Sequence, residues 1–239
     1  MNFIEFAAEL GIAGKVLSIT RTNGGSVFCP GSERCALLVL NNAFQGETIR
    51  LSAETIRCFG GKSGFGFVDG LMEVPGGYGH FISSGAGEGA PPGMHLKQSP
   101  ELAEQGALAS PQNVMNGKSV IEIKGFEESD EPDLVTILST PDQLSALNLL
   151  FNFRKTENDL TYFPAGSGCA SVFRLPFAEL RSVNHRAVIG NADVSSRPGF
   201  PADSFFFTIS GEAFKQMLSD ADESFLIAPA WKKLKERVL

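Results

Sequence analysis

Between two apolar runs the chain reads Arg57-Cys58-Phe59-Gly60-Gly61-Lys62-Ser63-Gly64-Phe65-Gly66-Phe67. Glycine lets the backbone approach a ligand closely or adopt a positive φ, and a cysteine beside such backbone can supply a thiolate. This stretch is therefore the first candidate site in the sequence. We expect Gly60 and Gly61 to offer backbone amides to a ligand and Lys62 to offer a positive charge.

Two nucleotide-binding motifs resemble this stretch, but neither is complete. A P-loop needs a glycine, four residues and then Gly-Lys-Ser/Thr. Gly61-Lys62-Ser63 is present, but Ile56 occupies the leading position. The dinucleotide fingerprint needs two residues before its last glycine, and here three residues separate Gly66 from Gly70. The sequence supports neither type of nucleotide site.

Composition and charge exclude several classes of protein. The chain has 239 residues, of which 43% are hydrophobic, so it can bury a sizeable core. Its formal net charge of -7 argues against a nucleic-acid or anionic-membrane partner, because both need a positive surface. We find no signal-peptide pattern and no apolar run long enough to span a bilayer. We expect a cytoplasmic protein with reduced thiols, and the oligomeric state stays open.

The order of predicted elements favours an α+β fold, with a mixed or mostly antiparallel sheet and helices packed against it. Paired strands lie between single helices, without the regular βαβ alternation of a doubly wound fold. We expect a single domain over 1–239. The alternative organisation is two similar, intimately packed halves, at about 1–125 and 126–239.

Local signals locate several elements. Thr140-Pro141-Asp142-Gln143 is a capping box with proline at the first helical position. Apolar residues then recur at helical spacing, at Leu144, Leu147, Leu150 and Phe151. Alternating patterns predict strands over 118–124 and 133–138. We expect these two strands to be neighbours, joined by the acidic turn 127–132.

Three cysteines lie beside glycine or a predicted helix start. Ser32 is the expected N-cap of a buried helix, which puts Cys35 in the first turn. There the helix dipole favours the thiolate over the thiol. Gly166-Ser167-Gly168-Cys169 has the same arrangement, ahead of a helix that runs to about Leu180. The third cysteine, Cys58, lies in the glycine stretch.

The chain resembles the domain of unknown function 169 family of bacteria and archaea. Cys35-Ala36 and Cys58-Phe59-Gly60-Gly61 carry the resemblance, since the family has a cysteine in an early helix and then a Cys-x-Gly-Gly stretch. Asp133 to Gln143, Cys169 and Asp203 to Met217 resemble later elements of the family. The resemblance implies a further cysteine near Gly190-Asn191, where this chain has none. It implies no established activity.

The first functional hypothesis is a metal or iron–sulfur site with Cys35, Cys58 and Cys169 as ligands. Thiolates suit zinc and iron–sulfur clusters alike, and backbone amides from Gly60 and Gly61 would offset the charge of a cluster. The spacing of Cys29 and Cys35 is not diagnostic, because it matches no familiar Cys-x-x-Cys pair. The competing interpretation is that the cysteines simply pack in the core.

The second hypothesis is a binding module or enzyme for a small organic ligand. Its pocket would be built from Cys58–Phe67 and from the glycine-rich loop Gly76–Gly89, which contains Tyr78. Lys62, His80 and Arg197 would bind an anionic group. Two simpler interpretations stay open. The phenylalanines of these segments could fill the core, and Asp193 could form an ordinary turn ion pair with Arg197.

Overall fold

A computed structural model describes residues 1–25, 27, 35–86, 88–89 and 91–238, with Phe59 described by its backbone alone. The strands are β1 (Val16–Thr22), β2 (Ile49–Ser52), β3 (Val120–Gly125), β4 (Leu134–Ser139), β5 (Thr161–Tyr162), β6 (Ala187–Gly190) and β7 (Phe205–Ser210). They form one sheet in the order β2-β3-β1-β4-β7-β6-β5. Neighbouring strands are antiparallel except β5 and β6, which are parallel. The predicted α+β fold with a mostly antiparallel mixed sheet is confirmed.

The helices vary widely in length. They are α1 (Phe3–Glu9), α2 (Val39–Phe44), α3 (Phe59–Gly64), α4 (Tyr78–Ile82), α5 (Pro100–Leu108), α6 (Pro141–Phe151), α7 (Leu175–Glu179), α8 (Gly211–Asp220) and α9 (Pro229–Val238). A 3-10 turn, Ala36–Leu38, leads into α2, and a π-helix, Ala170–Arg174, leads into α7. No helix in the described part of the chain is both long enough and apolar enough to cross a membrane.

Alternate residues of the central strands enter two separate cores. Val135 of β4 and Phe207 of β7 belong to one core, and Leu134 and Phe206 belong to the other. Successive side chains of a strand point to opposite faces of the sheet, so each core covers one face. We call the face of Val135 the first face and the face of Leu134 the second face.

The first face is covered by helices with regular starts. Asn2, Thr140 and Ser210 cap α1, α6 and α8 with their side chains, and the predicted capping box of α6 is present. Such caps satisfy backbone N–H groups that have no partner within the helix. The local sequence thus already favours α1, α6 and α8.

An aromatic cluster joins the helices of the first face. Phe214 of α8 meets Phe3, Phe6 and Phe126 edge to face, with ring centroids 6.2, 5.8 and 4.9 Å away. Trp231 of α9 is also buried in this core. Edge-to-face pairs add to the stabilisation from burial, so this cluster fixes how α1 and α8 pack on the sheet.

The second face is covered by short elements. The 3-10 turn and α3 begin without a side-chain cap, and α2 and α7 continue directly from the 3-10 turn and the π-helix. The helical segment that contains the π-helix begins after Ser167, whose Oγ accepts a hydrogen bond from the N–H of Ala170. Phe65 and Phe173 stack with their ring centroids 4.1 Å apart, which joins the end of α3 to the π-helix. Phe65 is therefore a core residue. Long-range packing, rather than local capping, defines the 3-10 turn and α3.

The predicted adjacency of the strands over 118–124 and 133–138 is wrong. The corresponding strands, β3 and β4, lie on either side of β1 and pair antiparallel with it. In the register, Ile19 faces both Ile123 and Leu134. Two strands that are both antiparallel to a third run in the same direction, so a turn cannot join β3 and β4 as a hairpin. The acidic segment instead leads from Gly125, opposite Leu17 of β1, to Leu134, opposite Ile19.

The two proposed halves of the chain contribute to the same sheet. β1 and β4 pair in its centre, so the sheet continues from strands of 1–125 into strands of 126–239. Outward from this pair the order is β3 and then β2 on one side, and β7, β6 and then β5 on the other. The single domain and the similarity of the halves stay predictions.

Candidate thiol site

Cys35 lies in extended backbone directly before the 3-10 turn. The prediction that it lies in the first turn of a helix is therefore wrong, and its expected cap, Ser32, lies outside the described residues. Burial raises the pKa of the Cys35 thiol, and the backbone N–H groups of Leu37 and Leu38 lower it by less. The neutral thiol is favoured, which is the opposite of the predicted effect of the helix dipole.

The glycine stretch forms a helix, α3, with Cys58 at its N-cap position. The N–H of Gly61 donates to the carbonyl of Cys58, so this amide is used inside the turn. A Cβ on Gly61 would lie 2.5 Å from Cγ2 of Ile56 and 3.1 Å from Cβ of Ala36. The absence of a side chain lets α3 pack against the 3-10 turn, which brings Cys58 towards Cys35.

Cys169 lies at the N-cap position of the π-helix and is buried. The predicted helix after it is present, as the π-helix followed by α7. Ser167 Oγ accepts a hydrogen bond of 3.2 Å from the N–H of Ala170. A Cβ on Gly64 would lie 2.6 Å from Cβ of Cys169. A second glycine of the stretch thus packs α3 against the start of the π-helix.

The three thiols act on one another electrostatically. Burial strongly raises the pKa of Cys169, and the negative charges of Cys35, Cys58 and Asp193 raise it further. Cys58 and Asp193 have the same effect on Cys35. The N–H of Leu37 lowers the pKa of both Cys35 and Cys169. Cys169 belongs to the second core, and Cys35 and Cys58 pack against the same core. Three thiols and one carboxylate therefore converge on the second face.

These thiols are free, and they are not arranged as a finished metal site. Cys35, Cys58 and Cys169 form no disulfide. In the part of the chain that the structure describes, no three His, Cys, Asp or Glu side chains are placed so that they could hold a metal ion. Cys29 lies outside the described residues. The arrangement is thus a convergence of sulfurs rather than a set of ligands at coordination distance.

A buried polar network lies beside Cys169. The carboxylate of Asp193 accepts a 3.1 Å hydrogen bond from the N–H of Gly168. Ser196 Oγ donates to Asn191 Oδ1 over 2.9 Å, and the Asn191 N–H donates to Ser171 Oγ. Asn191 is fully buried at a positive φ of 73°, and its Nδ2 has no hydrogen-bond partner among the described residues. Backbone strain and an open donor thus lie close to the thiols.

The other predicted ligand residues do not come together. Lys62 is exposed on α3, whereas Tyr78 and His80 are half-buried on α4. Tyr78 lines a cavity of about 490 Å³, and neither Gly60, Lys62 nor His80 is among its lining residues. A second cavity, of about 460 Å³, is lined by Gly66 and Phe67 but by no residue of the Gly76–Gly89 loop.

Arg197 holds its own loop in place. Its guanidinium donates to the carbonyls of Asn191, Ser204 and Ala202, and lies 4.7 Å from the ring centroid of Phe205. It forms no ion pair with Asp193 among the described residues. Arg197 therefore stabilises the connection between β6 and β7. Its predicted role in ligand binding stays a prediction.

Sequence reasoning missed Arg174, the last residue of the π-helix. It is 5% exposed and lies near Tyr78 and Ser63. The signal that could have found it is a lone arginine in the apolar run Val172-Phe173-Arg174-Leu175. A charged residue is rarely buried without a partner, so its position in such a run indicates a specific role.

The geometry defines an α+β protein with a thiol cluster on one face of a seven-stranded sheet. Residues 5–220 match the DUF169 family, which is described as uncharacterised ArCR, and the chain belongs to this family. The predicted family resemblance is confirmed, whereas its Cys-x-Gly-Gly element stays a prediction. Comparison with curated proteins and with solved structures found no match in either set.

Proposed function

We propose that this protein binds zinc or an iron–sulfur cluster through Cys35, Cys58 and Cys169. The convergence of the three thiols at the contact between α3, the 3-10 turn and the π-helix carries the proposal. Two glycine contacts bring these elements together, and each element begins at or directly after one of the cysteines. Residues distant in sequence thus supply thiols to one place.

The charges around the thiols favour a cationic ligand over a reactive thiolate. A nucleophilic cysteine normally lies beside a cation, which lowers its pKa. Here the charged groups that act most strongly on Cys169 are two other thiols and the carboxylate of Asp193. Thiolates in such a place need a positive counter-charge, which a soft metal ion or a cluster supplies.

Backbone donors add to this argument. The N–H of Leu37 lowers the pKa of both Cys35 and Cys169, and the N–H of Leu38 lowers that of Cys35. Hydrogen bonds to thiolate sulfur are one way in which proteins stabilise a charged cluster. Because the sulfurs are not at coordination distance, binding would include rotation of the cysteine side chains towards a common centre.

The proposal includes a cytoplasmic location, where thiols stay reduced. It also includes a pH dependence. Because burial raises the pKa of Cys35 and Cys169, a metal must displace protons from both thiols. We therefore expect the apparent affinity for zinc to increase as the pH rises from about 6 to about 9, with proton release on binding.

Anaerobic purification followed by metal analysis and visible spectroscopy tests the proposal. We expect zinc, or iron with sulfide and a visible chromophore. Cys58→Ser and Cys169→Ser should each lower metal affinity by about tenfold or more, since even outer partners of a metal site have effects of that size. His80→Gln, which changes a potential ligand type outside the thiol cluster, should leave the metal content unchanged.

One result would overturn the proposal. The protein would stay colourless and metal-free after treatment with zinc and after anaerobic reconstitution with iron and sulfide. In the same sample, the thiols of Cys35, Cys58 and Cys169 would react with a thiol reagent in the native state at the same rate with and without metal. The cysteines would then be packing residues.

A further inference from the structure

The cavity of about 460 Å³ carries charges of both signs on a partly apolar lining. The apolar part includes Phe67, which packs against the second core, and Met115, which belongs to that core. Asp69, Lys118 and Arg181 contribute one negative and two positive charges. Small-molecule pockets combine apolar surface with a few polar groups, and this volume lies within their usual range. The cavity therefore has the composition of a binding site for a small charged molecule.

One residue of the loop before β3 lies between the opposite charges. The N–H of Asn113 donates to Asp69 Oδ1 over 2.7 Å, and the carbonyl of Asn113 accepts a hydrogen bond from Nη2 of Arg181. Asp69 and Arg181 form no ion pair with each other in the described part of the chain. The two charges are thus held on the same residue without pairing with each other.

Both charged groups keep capacity for a ligand. Arg181 also donates to the Gln112 carbonyl over 3.2 Å and to Asn116 Oδ1 over 2.7 Å. These contacts fix the guanidinium and use three of its five N–H donors, so two donors remain. Oδ2 of Asp69 accepts no hydrogen bond from the residues that the structure describes. Arg181 can therefore donate to an anionic group, and Asp69 can accept from a cationic one.

Lys118 gives the cavity an excess of positive charge. It is exposed and forms no ion pair among the described residues, whereas Lys124 of β3 pairs with Asp130 at 2.7 Å. The excess is local, because the chain as a whole has a formal net charge of -7. Holding the loop in place explains the contacts of Asp69 and Arg181 but gives no role to Lys118. A ligand with more negative than positive charge gives all three groups a partner.

The backbone that lines the cavity has positive φ at several positions. Gly66, Asn113, Asn116 and Gly117 have φ values of 87°, 54°, 52° and 76°. Positive φ is uncommon for residues other than glycine, and such backbone gathers at functional sites. A Cβ on Gly66 would collide with Cγ2 of Val114. The absence of a side chain therefore lets the segment after α3 pack closely against the loop that contacts Asp69 and Arg181.

We propose that this cavity binds an acidic α-amino acid. Arg181 donates to the α-carboxylate, Asp69 accepts from the α-ammonium, and Lys118 pairs with the side-chain carboxylate. An α-amino acid carries its ammonium and its α-carboxylate on one carbon, which suits a site where one residue, Asn113, contacts both opposite charges. A simple anion would leave Asp69 without a partner, and an amine would leave Arg181 and Lys118 without one. The site stands whether or not the thiols bind a metal.

Calorimetric titration of the purified full chain with L-glutamate and L-aspartate tests the inference. L-alanine lacks the side-chain carboxylate and glutarate lacks the α-ammonium, so both serve as comparison ligands, with sodium chloride at matched ionic strength. We expect at least one acidic amino acid to bind saturably. Glutarate should bind at least about tenfold more weakly than the tighter acidic amino acid, because it makes no charged hydrogen bond to Asp69. L-alanine should bind at least about threefold more weakly, because it forms no exposed ion pair with Lys118.

Asp69→Asn tests the contact with the α-ammonium. The amide keeps an oxygen acceptor for the Asn113 N–H but removes the negative charge. We expect this variant to bind the tighter acidic amino acid about tenfold or more weakly than the wild type does. Its affinity for glutarate should not decrease, since glutarate has no ammonium group.

Lys118→Met tests the contact with the side-chain carboxylate. We expect it to weaken binding of the acidic amino acid by about threefold and to leave L-alanine binding unchanged. Lys97→Met is the matched control, because Lys97 is also exposed but does not line the cavity. It removes the same charge from the protein, and we expect it to bind both amino acids as the wild type does.

Three results would overturn the inference. The wild type could bind neither acidic amino acid saturably. Glutarate could bind as tightly as the acidic amino acids, which would exclude the role of Asp69. Asp69→Asn or Lys118→Met could bind the tighter acidic amino acid with wild-type affinity, which would place any amino acid site elsewhere.

Discussion

The two faces of the sheet differ in how several of their helices begin. On the first face, α1, α6 and α8 start at side-chain caps, and an aromatic cluster around Phe214 joins α1 and α8. On the second face the 3-10 turn and α3 start without such caps, and a π-helix follows Cys169. Buried side-chain atoms without a partner among the described residues occur on both faces: Asn152 Oδ1 and Thr161 Oγ1 on the first, and Arg174 Nη2 and Asn191 Nδ2 on the second.

This difference favours the second face as the location of the candidate site. A sequence normally satisfies capping, packing and polar pairing together, and departures gather at functional sites. The second face carries Cys35, Cys58 and Cys169 as well as the incompletely bonded Arg174. We therefore expect substitutions that reduce side-chain volume on the first face to lower stability. Substitutions on the second face should change binding.

The largest expected change in unfolding free energy comes from a substitution on the first face. Phe214→Ala removes a fully buried ring that meets Phe3, Phe6 and Phe126. Truncating a buried phenylalanine costs about 3–5 kcal/mol of unfolding free energy. Urea unfolding followed by circular dichroism measures this loss of unfolding free energy. Metal content should not change in the folded fraction, and a selective loss of metal would contradict the separation of the two faces.

The next effect concerns the glycine contact of the second face. A Cβ on Gly64 would lie 2.6 Å from Cβ of Cys169 and 3.2 Å from the Ala170 nitrogen, so Gly64→Ala pushes α3 away from the π-helix. Overpacking of this kind costs about 1–3 kcal/mol. We also expect Gly64→Ala to weaken metal binding, because it separates Cys58 from Cys169.

Gly60→Ala is the control on the same helix. Its Cβ would have only an ordinary contact, 3.8 Å from Sδ of Met72. Alanine in a helix is more stable than glycine by about 0.5–1 kcal/mol, so Gly60→Ala should stabilise the protein slightly. Equal effects of the two substitutions on unfolding free energy and metal binding would show that the packing at Gly64 is unimportant.

Helix starts on the two faces should respond differently. Thr140→Ala removes the side-chain cap of α6 and should cost about 1 kcal/mol in urea unfolding. Cys58 occupies the corresponding position of α3, but its side chain makes no cap hydrogen bond. Cys58→Ala removes the thiol without adding a cap, so it should leave the stability of the metal-free protein unchanged within about 0.5 kcal/mol. A larger loss would mean that the Cys58 thiol packs as a core group.

The smallest expected effect is a change in the pH dependence of stability, and it concerns the second face. Burial raises the pKa of Tyr162 to about 12, with the charge of Glu179 as the next cause. A tyrosine whose pKa is higher in the folded state than in the unfolded state contributes stability below pH 10 that is lost as the pH rises towards 12. Tyr162→Phe should make stability less dependent on pH in that window.

The same variant isolates the titration of Tyr78, which is the other tyrosine of the chain. Its pKa is raised by burial against the opposing charge of Arg174. Ultraviolet titration of Tyr162→Phe should show one tyrosine ionising above pH 10. Adding Arg174→Gln should raise that midpoint. A midpoint that does not move would show that Arg174 and Tyr78 do not interact.

The elements that the sequence predicted best are those with a local cause. The box at Thr140-Pro141-Asp142-Gln143 contains its own hydrogen-bond partners, so α6 could be predicted from four residues. Alternation likewise predicted strands near β3 and β4. Strand order depends on partners far along the chain, and nothing in the residues of 118–138 indicates that β1 lies between them.

The sequence predicted the candidate site only in part, because the site also depends on partners far along the chain. The three cysteines could be named because their residue type carries the chemistry. The role of Gly61 and Gly64 could not be foreseen, since it depends on Ala36 and Cys169, which only the fold brings near. Arg174 was missed because its open donor results from three segments that meet at the π-helix.

The position of β1 in the middle of the sheet also determines when the sheet can form during synthesis. β1 is complete at Thr22, but its neighbours begin only at Val120 and Leu134. At a typical translation rate, roughly 5–20 s pass between the synthesis of Thr22 and that of Val120. Until then both edges of β1 lack their partners, and the sheet can assemble only after half of the chain has left the ribosome.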